Sequence, residues 1–572
     1  MKIAKSRNKH HLLNYLTSNP KYKYHLKSLS DPGNEFEQYQ KELNDLLSSI
    51  LPPRRKWVKL GEASRRHPQN KNEFLTANDK NFYSLLKTIK IHEKRNSKES
   101  WFLKLQEFIE EIKKLALRNT YEVNSPVVLP KLKEEKKKKD KNECRPICLF
   151  DLKDRIILSI TNKFLTQLFD NYFQDSSYAF RSKKNNEGKI ISHHDCVRDI
   201  IDFRKKNDDK ELIIVECDMK KFFDTVNQDI TKALYQELII LAQKDHPDLN
   251  IESASRIFES YLDCFAFNVN IPKPDDNLYW ESYAIPNGEF TWISNSELLK
   301  KYPNNISDIR IGIPQGGALS GLISNIYLNQ VDIHLSHEPI LYQRFCDDMI
   351  IIGDTINDCN NAKAKYISAL NDLKLFPHPF ISSDELTTER KGKVTYKNFW
   401  SGKSKGPYRW GKIEENSFPW IGFVGYEINY TGDLRVRKKS LIKELKKQKK
   451  IVREIEEAID DGMRRSSRTA TESAINRLIG MSVGRIGIDN FDEVSTDLCW
   501  KNGFKELNLN THSEKQIKHL DRNRSKLYYR LLKEVKEPEL KAPAMKGRQI
   551  ISYNKPFSYY YQVLERSKKA NG

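Results

Sequence analysis

The stretch RFCDDMII, Arg344 to Ile351, sets two aspartates side by side in a run that otherwise reads as a buried strand. Phe345, Met349, Ile350, Ile351 and Ile352 are apolar and Gly353-Asp354 closes the run, which fits a short strand and turn. Adjacent strand residues face opposite sides, so a chain that aims both Asp347 and Asp348 at one place must turn there. A hairpin tip meets that demand. Two neighbouring carboxylates beside an apolar strand repel each other and resist desolvation, so they need water, a basic partner or a metal.

At 572 residues the chain can bury at least one large core and fold as two or three domains. Lys plus Arg number 98 against 77 Asp plus Glu, a formal charge of +21. That excess attracts polyanions, with nucleic acid the first expectation and an anionic membrane surface the second. No apolar run reaches membrane-spanning length, and the N-terminus MKIAKSRNKHHLLNYL lacks a signal-peptide core. A cytoplasmic protein without a membrane partner is therefore expected. The eight cysteines are scattered with no CxxC pair, which argues for reduced thiols and against a zinc site or a disulfide frame.

The pattern divides the chain into a polar, helical N-terminal extension over 1–125, a region of alternating strands and helices over 126–432, the start of a helical segment over 433–465, and its continuation with a helical C-terminal extension over 466–572. Trp101 to Leu117 has the apolar spacing of an amphipathic helix. Val127 to Phe150 reads as two apolar runs around the charged stretch KEEKKKKDK, a hairpin with a solvated tip. In SLIKELKKQKKIVREIEEAID, Leu441, Leu445, Val452, Ile455 and Ile459 share one helix face and lysines cover the other.

A partner for the aspartate pair lies in LIIVECDMKKFFDTVN, where Leu212 to Val215 reads as a central strand and Asp218 follows its C-terminal end. An aspartate there, taken singly, is a common turn or cap residue. Three aspartates on two neighbouring strands can instead hold two divalent cations roughly 4 Å apart, one lowering the pKa of an attacking 3′-hydroxyl and one stabilising pyrophosphate. Mg2+ suits such hard oxygen ligands, with Mn2+ as a substitute. Between these elements Pro314, Gln315, Gly316 and Gly317 form a tight loop before a long apolar helix, with Ser320 and Ser324 one turn apart. Small residues there would let a base pair or phosphate approach closely.

Asp218, then this loop and helix, then Asp347-Asp348, in that order, resembles the palm of bacterial reverse transcriptases. RPICLFDLKDRIILSITNKFL (Arg145 to Leu165) and SSYAFRSKKN (Ser176 to Asn185) look like fingers motifs, and FPWIGFVGYEINYTG (Phe418 to Gly432) looks like the primer-grip hairpin. The style is that of group II intron, retron and phage-defence enzymes, and most like the stand-alone antiphage-defence members. Phe345-Cys346 stands where these families usually have Tyr-Ala. The segment Phe267 to Ser294 reads as an insertion, and neither a Val-Thr-Gly after the palm nor a Cys/His endonuclease cluster is present.

The resemblance implies an α+β right-hand polymerase fold with fingers, palm and thumb, and an RNA-directed DNA polymerase working by two-metal nucleotidyl transfer from dNTPs. It implies Asp218, Asp347 and Asp348 as catalytic residues, with two Mg2+ ions held by them and by Met219 through its main chain. Arg145, Arg155, Phe223 and Gln315 become nucleotide-binding candidates, Phe223 as the aromatic gate against a 2′-hydroxyl. Asp224 is read as a structural cap or turn residue. Lys438, Lys439, Lys443 and Lys446 become nucleic-acid contacts of the thumb. Tyr553, Tyr559, Tyr560 and Tyr561 form a tail cluster whose hydroxyls could prime DNA synthesis, although aromatic clusters usually just pack. Implied partners are an RNA template, in defence a dedicated non-coding RNA, the DNA product and dNTPs, with a homo-oligomer allowed. A group II intron-type maturase is the alternative. An inactive scaffold is disfavoured by the three aspartates, and an RNA-dependent RNA polymerase by Phe223.

Overall fold

The computed structural model describes residues 33–61, 77–138, 141–303, 306–390, 393–412, 417–460 and 510–535, together with 474, 478, 506 and 507. Helices α1 (Glu35–Ile50), α2 (Ala77–Lys94) and α3 (Ser100–Ala116) come first. Trp101, Phe102, Leu105, Phe108 and Ile112 recur at helical spacing on α3, and all are buried. Strands β1 (Val127–Lys138) and β2 (Lys141–Leu149) then pair antiparallel as a long hairpin. Helix α4 (Leu152–Phe169) follows, capped by the Asp151 carboxylate, which accepts from the Asp154 amide. Helix α5 (His193–Lys206) opens with a reciprocal cap between Ser192 and Asp195.

Strand β3 (Leu212–Cys217) is buried throughout, as its run of branched residues dictates. After helix α6 (Gln228–Asp245) comes the short strand β4 (Gly288–Glu289), which joins β2 in parallel. Helix α7 (Ser320–Leu335), strands β5 (Ile340–Phe345) and β6 (Asp348–Gly353), and helix α8 (Ile356–Asp372) complete the centre. Strands β7 (Phe380–Ile381), β8 (Ser404–Trp410) and β9 (Ser417–Phe418) finish a six-stranded sheet in the order β9-β8-β3-β6-β5, with β7 beside β8.

Alternation along β3 decides which face each residue serves. Ile213, Val215 and Cys217 join Met349 and Ile351 in a core with Ile323 and Tyr327 of α7 and Cys359 and Tyr366 of α8. Leu212 and Ile214 join Ile350 and Ile352 on the opposite face, against Val197 and Ile200 of α5 and a small antiparallel sheet. That sheet is β10 (Trp420–Phe423), β11 (Tyr426–Asn429) and β12 (Leu434–Val436), whose Ile421, Phe423, Tyr426 and Ile428 belong to the same core. Full burial of one such aliphatic side chain is worth about 1.5–3 kcal/mol, so the central strands are fixed from both sides.

Helix α9 (Lys438–Asp460) then runs against helix α10 (Thr511–Val535). Val452 and Ile455 meet Leu527, Tyr528 and Leu531, and Arg530 clasps Glu456 with two bonds of 2.8 Å to its carboxylate oxygens. The lysines lie on the other side of α9.

Candidate active site

Cys217 at the end of β3 pairs with Met349, so the next residue on one strand and the preceding one on the other, Asp218 and Asp348, share one rim of the sheet. Phe345 pairs with Asp348, which makes Cys346 and Asp347 the two-residue tip of the β5–β6 hairpin. Cys346 has φ of +61°, and Asp347 is not among the positive-φ residues. That is the pattern of a type II′ turn. A left-handed backbone costs a non-glycine residue roughly 1–2 kcal/mol, so the surroundings must hold it. Arg344 does so: its fully buried guanidinium donates to Cys346 O at 3.2 Å and to the Asp332 carboxylate at 2.6–3.0 Å.

The three carboxylates crowd one another. Loss of solvation, then the charges of Asp347 and Asp218, push Asp348 up to about 7, although Asp348 keeps contact with solvent at the mouth of the cleft. Burial, with the charge of Asp218 adding to it, also raises Asp347. Lys403, itself 65% exposed, answers this charge by pairing with Asp218 Oδ2 at 2.7 Å. Among the described residues no three histidine, cysteine, aspartate or glutamate side chains already converge on a metal-sized site. The donor set nevertheless fits a hard divalent cation: it is all oxygen and in excess of its counter-charge, and the lysine that now neutralises it is free to swing into solvent. The Met219 side chain is buried in the core, which leaves only its main-chain carbonyl as a ligand.

Behind Asp218 the chain turns sharply at Lys221, whose φ is +53°, into a single helical turn, Phe222–Thr225. Phe222 is buried, whereas Phe223 is only partly so, with ring centroids 5.2 Å apart. Phe222 is thus the core member of the pair, and Phe223 is the one with a face to offer. Asp224 is buried and accepts from Gln315 Nε2 at 2.6 Å. Gln315 therefore braces its own loop to the Phe222–Thr225 turn in this structure.

The small residues of the next loop and helix are used against protein. A Cβ on Gly317 would lie 1.8 Å from Tyr261 Oη, and one on Gly321 would lie 2.6 Å from the Phe180 ring. Ser320 and Ser324 are buried, bonded to Pro314 O and to Cys346 Sγ respectively. The expectation that this loop and helix stay open for a substrate backbone is corrected at these positions: their smallness admits neighbouring side chains.

Arg145 is exposed on β2. Arg155 sits on α4 with its guanidinium 3.3 Å from Tyr39 Oη of α1, so its observed partner belongs to the N-terminal helices. Lys438, Lys439, Lys443 and Lys446 are all exposed on α9. Tyr553, Tyr559, Tyr560 and Tyr561 lie outside the described residues.

Four participants escaped the reading of the sequence: Lys403, Lys221, Thr291 and Trp292. Lys221 carried a signal, since the pair Lys220-Lys221 sets positive charge two and three residues after Asp218. The others meet the site across separations of up to 185 residues, which no local pattern reports.

Residues 136–378 match the family model for "Reverse transcriptase (RNA-dependent DNA polymerase)". The chain carries a reverse transcriptase domain. The domain is that of an RNA-directed DNA polymerase, a nucleotidyltransferase, and the chain has the right-hand polymerase fold. Reverse transcriptases generally use divalent metal ions. The matched span includes Asp218, Gln315, Asp347 and Asp348 and ends before Lys403 and α9. No curated protein sequence matches the chain. Among solved structures, telomerase from Candida albicans in complex with a TWJ fragment of telomeric RNA aligns at 13% identity over 93% of this chain and 82% of that one, with a TM-score of 0.31. Apo telomerase from Candida tropicalis truncated from its C-terminal domain aligns at 16% identity over 71% and 78%, with a TM-score of 0.32.

Proposed function

We propose that the reverse transcriptase domain copies a structured RNA into DNA with Asp218, Asp347 and Asp348 as its catalytic carboxylates, in bacterial antiphage defence and on a dedicated non-coding RNA. The observation that carries the chemistry is the β3–β6 register, which brings Asp218 to the same rim as the β5–β6 hairpin tip. The defence role rests on the style of the motifs.

When bound, two divalent cations would supply an ionised 3′-hydroxyl and a neutralised pyrophosphate. Asp218, Asp347 and Asp348 would hold them, with the Met219 carbonyl, and Lys403 would release Asp218 as they bind. Phe223 offers its ring as the floor beneath the sugar, where a 2′-hydroxyl would collide with it. Arg145 on β2 supplies positive charge for the triphosphate through charge-assisted bonds. Lysines along α9 carry the duplex without reading its sequence. No helix among the described residues is long and apolar enough to cross a membrane.

The test is replacement of Asp347 and Asp348 by Ala in the full chain, assayed on a primed RNA template with Mg2+. Incorporation should disappear while template affinity stays within about twofold, because binding rests on the basic surface. Near wild-type incorporation by the double variant would overturn the assignment of the site.

A further inference from the structure

The segment between helix α6 and the loop before α7 enters the gate turn from the side. Its strand β4 extends the β1–β2 hairpin, with Asn142 opposite Gly288 and Glu143 opposite Glu289. Lys141 pairs with Glu289 at 3.0 Å, and the Asn142 side chain donates to Pro286 O at 2.6 Å. Directly after β4, Thr291 Oγ1 donates to Glu143 Oε1 at 2.6 Å and accepts from Lys221 Nζ at 2.5 Å. One hydroxyl thereby uses its donor and one acceptor position to join the hairpin to the gate turn. Trp292 Nε1 donates to Asp224 O at 2.8 Å, and Glu297 accepts from Lys220 Nζ at 2.7 Å.

Residues 220, 221 and 224 surround Phe223, and each is gripped by this one segment. Other supports of the turn come from the loop before α7, where Ile313 N donates to Phe223 O at 2.8 Å and Gly312 N to Val226 O at 2.7 Å, from Phe376 O, which accepts from Lys220 N at 2.7 Å, and from Glu143 itself, whose Oε1 lies 3.3 Å from Lys221 Nζ, a longer direct link beside the shorter one through Thr291. The loop holds the turn from one side, and the segment reaches it from the hairpin. Glu143 is buried and also pairs with Lys133, so the tie at the hairpin end sits among charges that would be costly to leave without partners.

We propose that the 286–297 segment is a specificity strut, in which Thr291 and Trp292 are positioning residues that set the spacing between the Phe223 gate and the β1–β2 hairpin. The proposal rests on the reading of Asp218, Asp347 and Asp348 as a polymerase site and of Phe223 as its gate, and an unchanged deoxy-to-ribo ratio in Phe223→Val would bring down the gate and the strut with it. A steric gate discriminates by a gap about the size of one hydroxyl, and misplacement by about 1 Å can change a rate on the order of a hundredfold. Loosening the strut should therefore appear in sugar selection and in nucleotide KM before it appears in folding.

The experiment measures kcat and KM for a dNTP and the matched rNTP on a primed RNA template, with the full chain and its Trp292→Phe, Thr291→Val, Thr291→Ser and Phe223→Val variants. Trp292→Phe keeps a ring against Phe267 and removes the N–H together with part of the indole's packing volume. It should lower the deoxy-to-ribo ratio about threefold to tenfold, the range of one lost hydrogen bond, with Phe223→Val marking the full extent of the effect. Thr291→Val should raise the dNTP KM by a similar factor with kcat little changed, and Thr291→Ser should restore it. An unchanged ratio and KM in folded Trp292→Phe and Thr291→Val would overturn the strut, as would a fall in melting temperature with a uniform loss of kcat that leaves the ratio alone. A wild-type chain that incorporates neither nucleotide would instead bring down the polymerase reading, and the strut with it.

Discussion

Asp224, next to Phe223 in the Phe222–Thr225 turn, carries its carboxyl where solvent scarcely reaches. Burial pushes it up to about 6, against the pull of Gln315, Lys221, Lys133 and Arg145, so the fold prefers it protonated relative to the unfolded chain. The sign follows: between about pH 4 and pH 6 the native state binds more protons than the unfolded one, and stability falls as the pH rises through that window. The penalty is complete above the folded value and absent below the unfolded one. Asp224→Asn keeps an oxygen for the Gln315 amide and removes the charge. It should raise the melting temperature at pH 7.5, by a free energy of at most about 3 kcal/mol before relaxation, and give no gain near pH 4. Thermal unfolding across that range is the measurement, and a gain independent of pH would show that the carboxyl is not strained by burial.

The elements differ in how much of them the sequence declared. The β5–β6 hairpin was legible because an acidic pair in an apolar run admits few conformations, and β3 because its branched run admits few environments. Helix α9 was legible from its period, and its lysine face makes a prediction at its own scale. Replacing Lys438, Lys439, Lys443 and Lys446 by Gln should weaken binding to a primer–template and flatten the dependence of log K on log salt by about 3 to 4, if each lysine meets one phosphate. Incorporation at saturating template should hardly change. Anisotropy titrations over a salt series decide this, and an unchanged slope would mean that the face does not lie on the duplex. The strut was not legible. Its residues read as part of an insertion, and their partners lie 68 to 148 residues away, so only the folded chain brings Thr291 and Trp292 to Glu143 and Asp224. Gln315 raised the same difficulty in smaller form, since a glutamine in a loop before a helix serves a ligand or its own neighbours equally well until Asp224 is seen beneath it.

Across the whole molecule, the acidic cleft depends on a buried ion pair that belongs to no single element. Arg344 of β5 and Asp332 of α7 are both fully buried, Tyr342 adds a bond to the same carboxylate at 2.9 Å, and Asn325 accepts from Arg344 at 3.2 Å. The segment 176–178 runs alongside at Arg344, through Arg344 N to Ser176 O at 2.8 Å and Tyr178 N to Arg344 O at 3.0 Å. One guanidinium thus links the sheet, the helix behind it and the tip that carries Asp347. Removing it alone leaves Asp332 charged in the core, and breaking such a pair costs about 3–5 kcal/mol. Arg344→Met should therefore lower the melting temperature by several degrees. Adding Asp332→Asn removes the stranded charge while leaving Tyr342 an acceptor, so the double variant should recover at least half of that loss. Activity should not follow, because the Cys346 carbonyl still lacks its donor and the type II′ tip is no longer held in its left-handed conformation. Calorimetry and single-nucleotide incorporation, run on the same three proteins, separate the two roles. Recovery of both together would show that Arg344 only stabilises the fold, and recovery of stability alone would show that it also sets the position of the tip that carries Asp347.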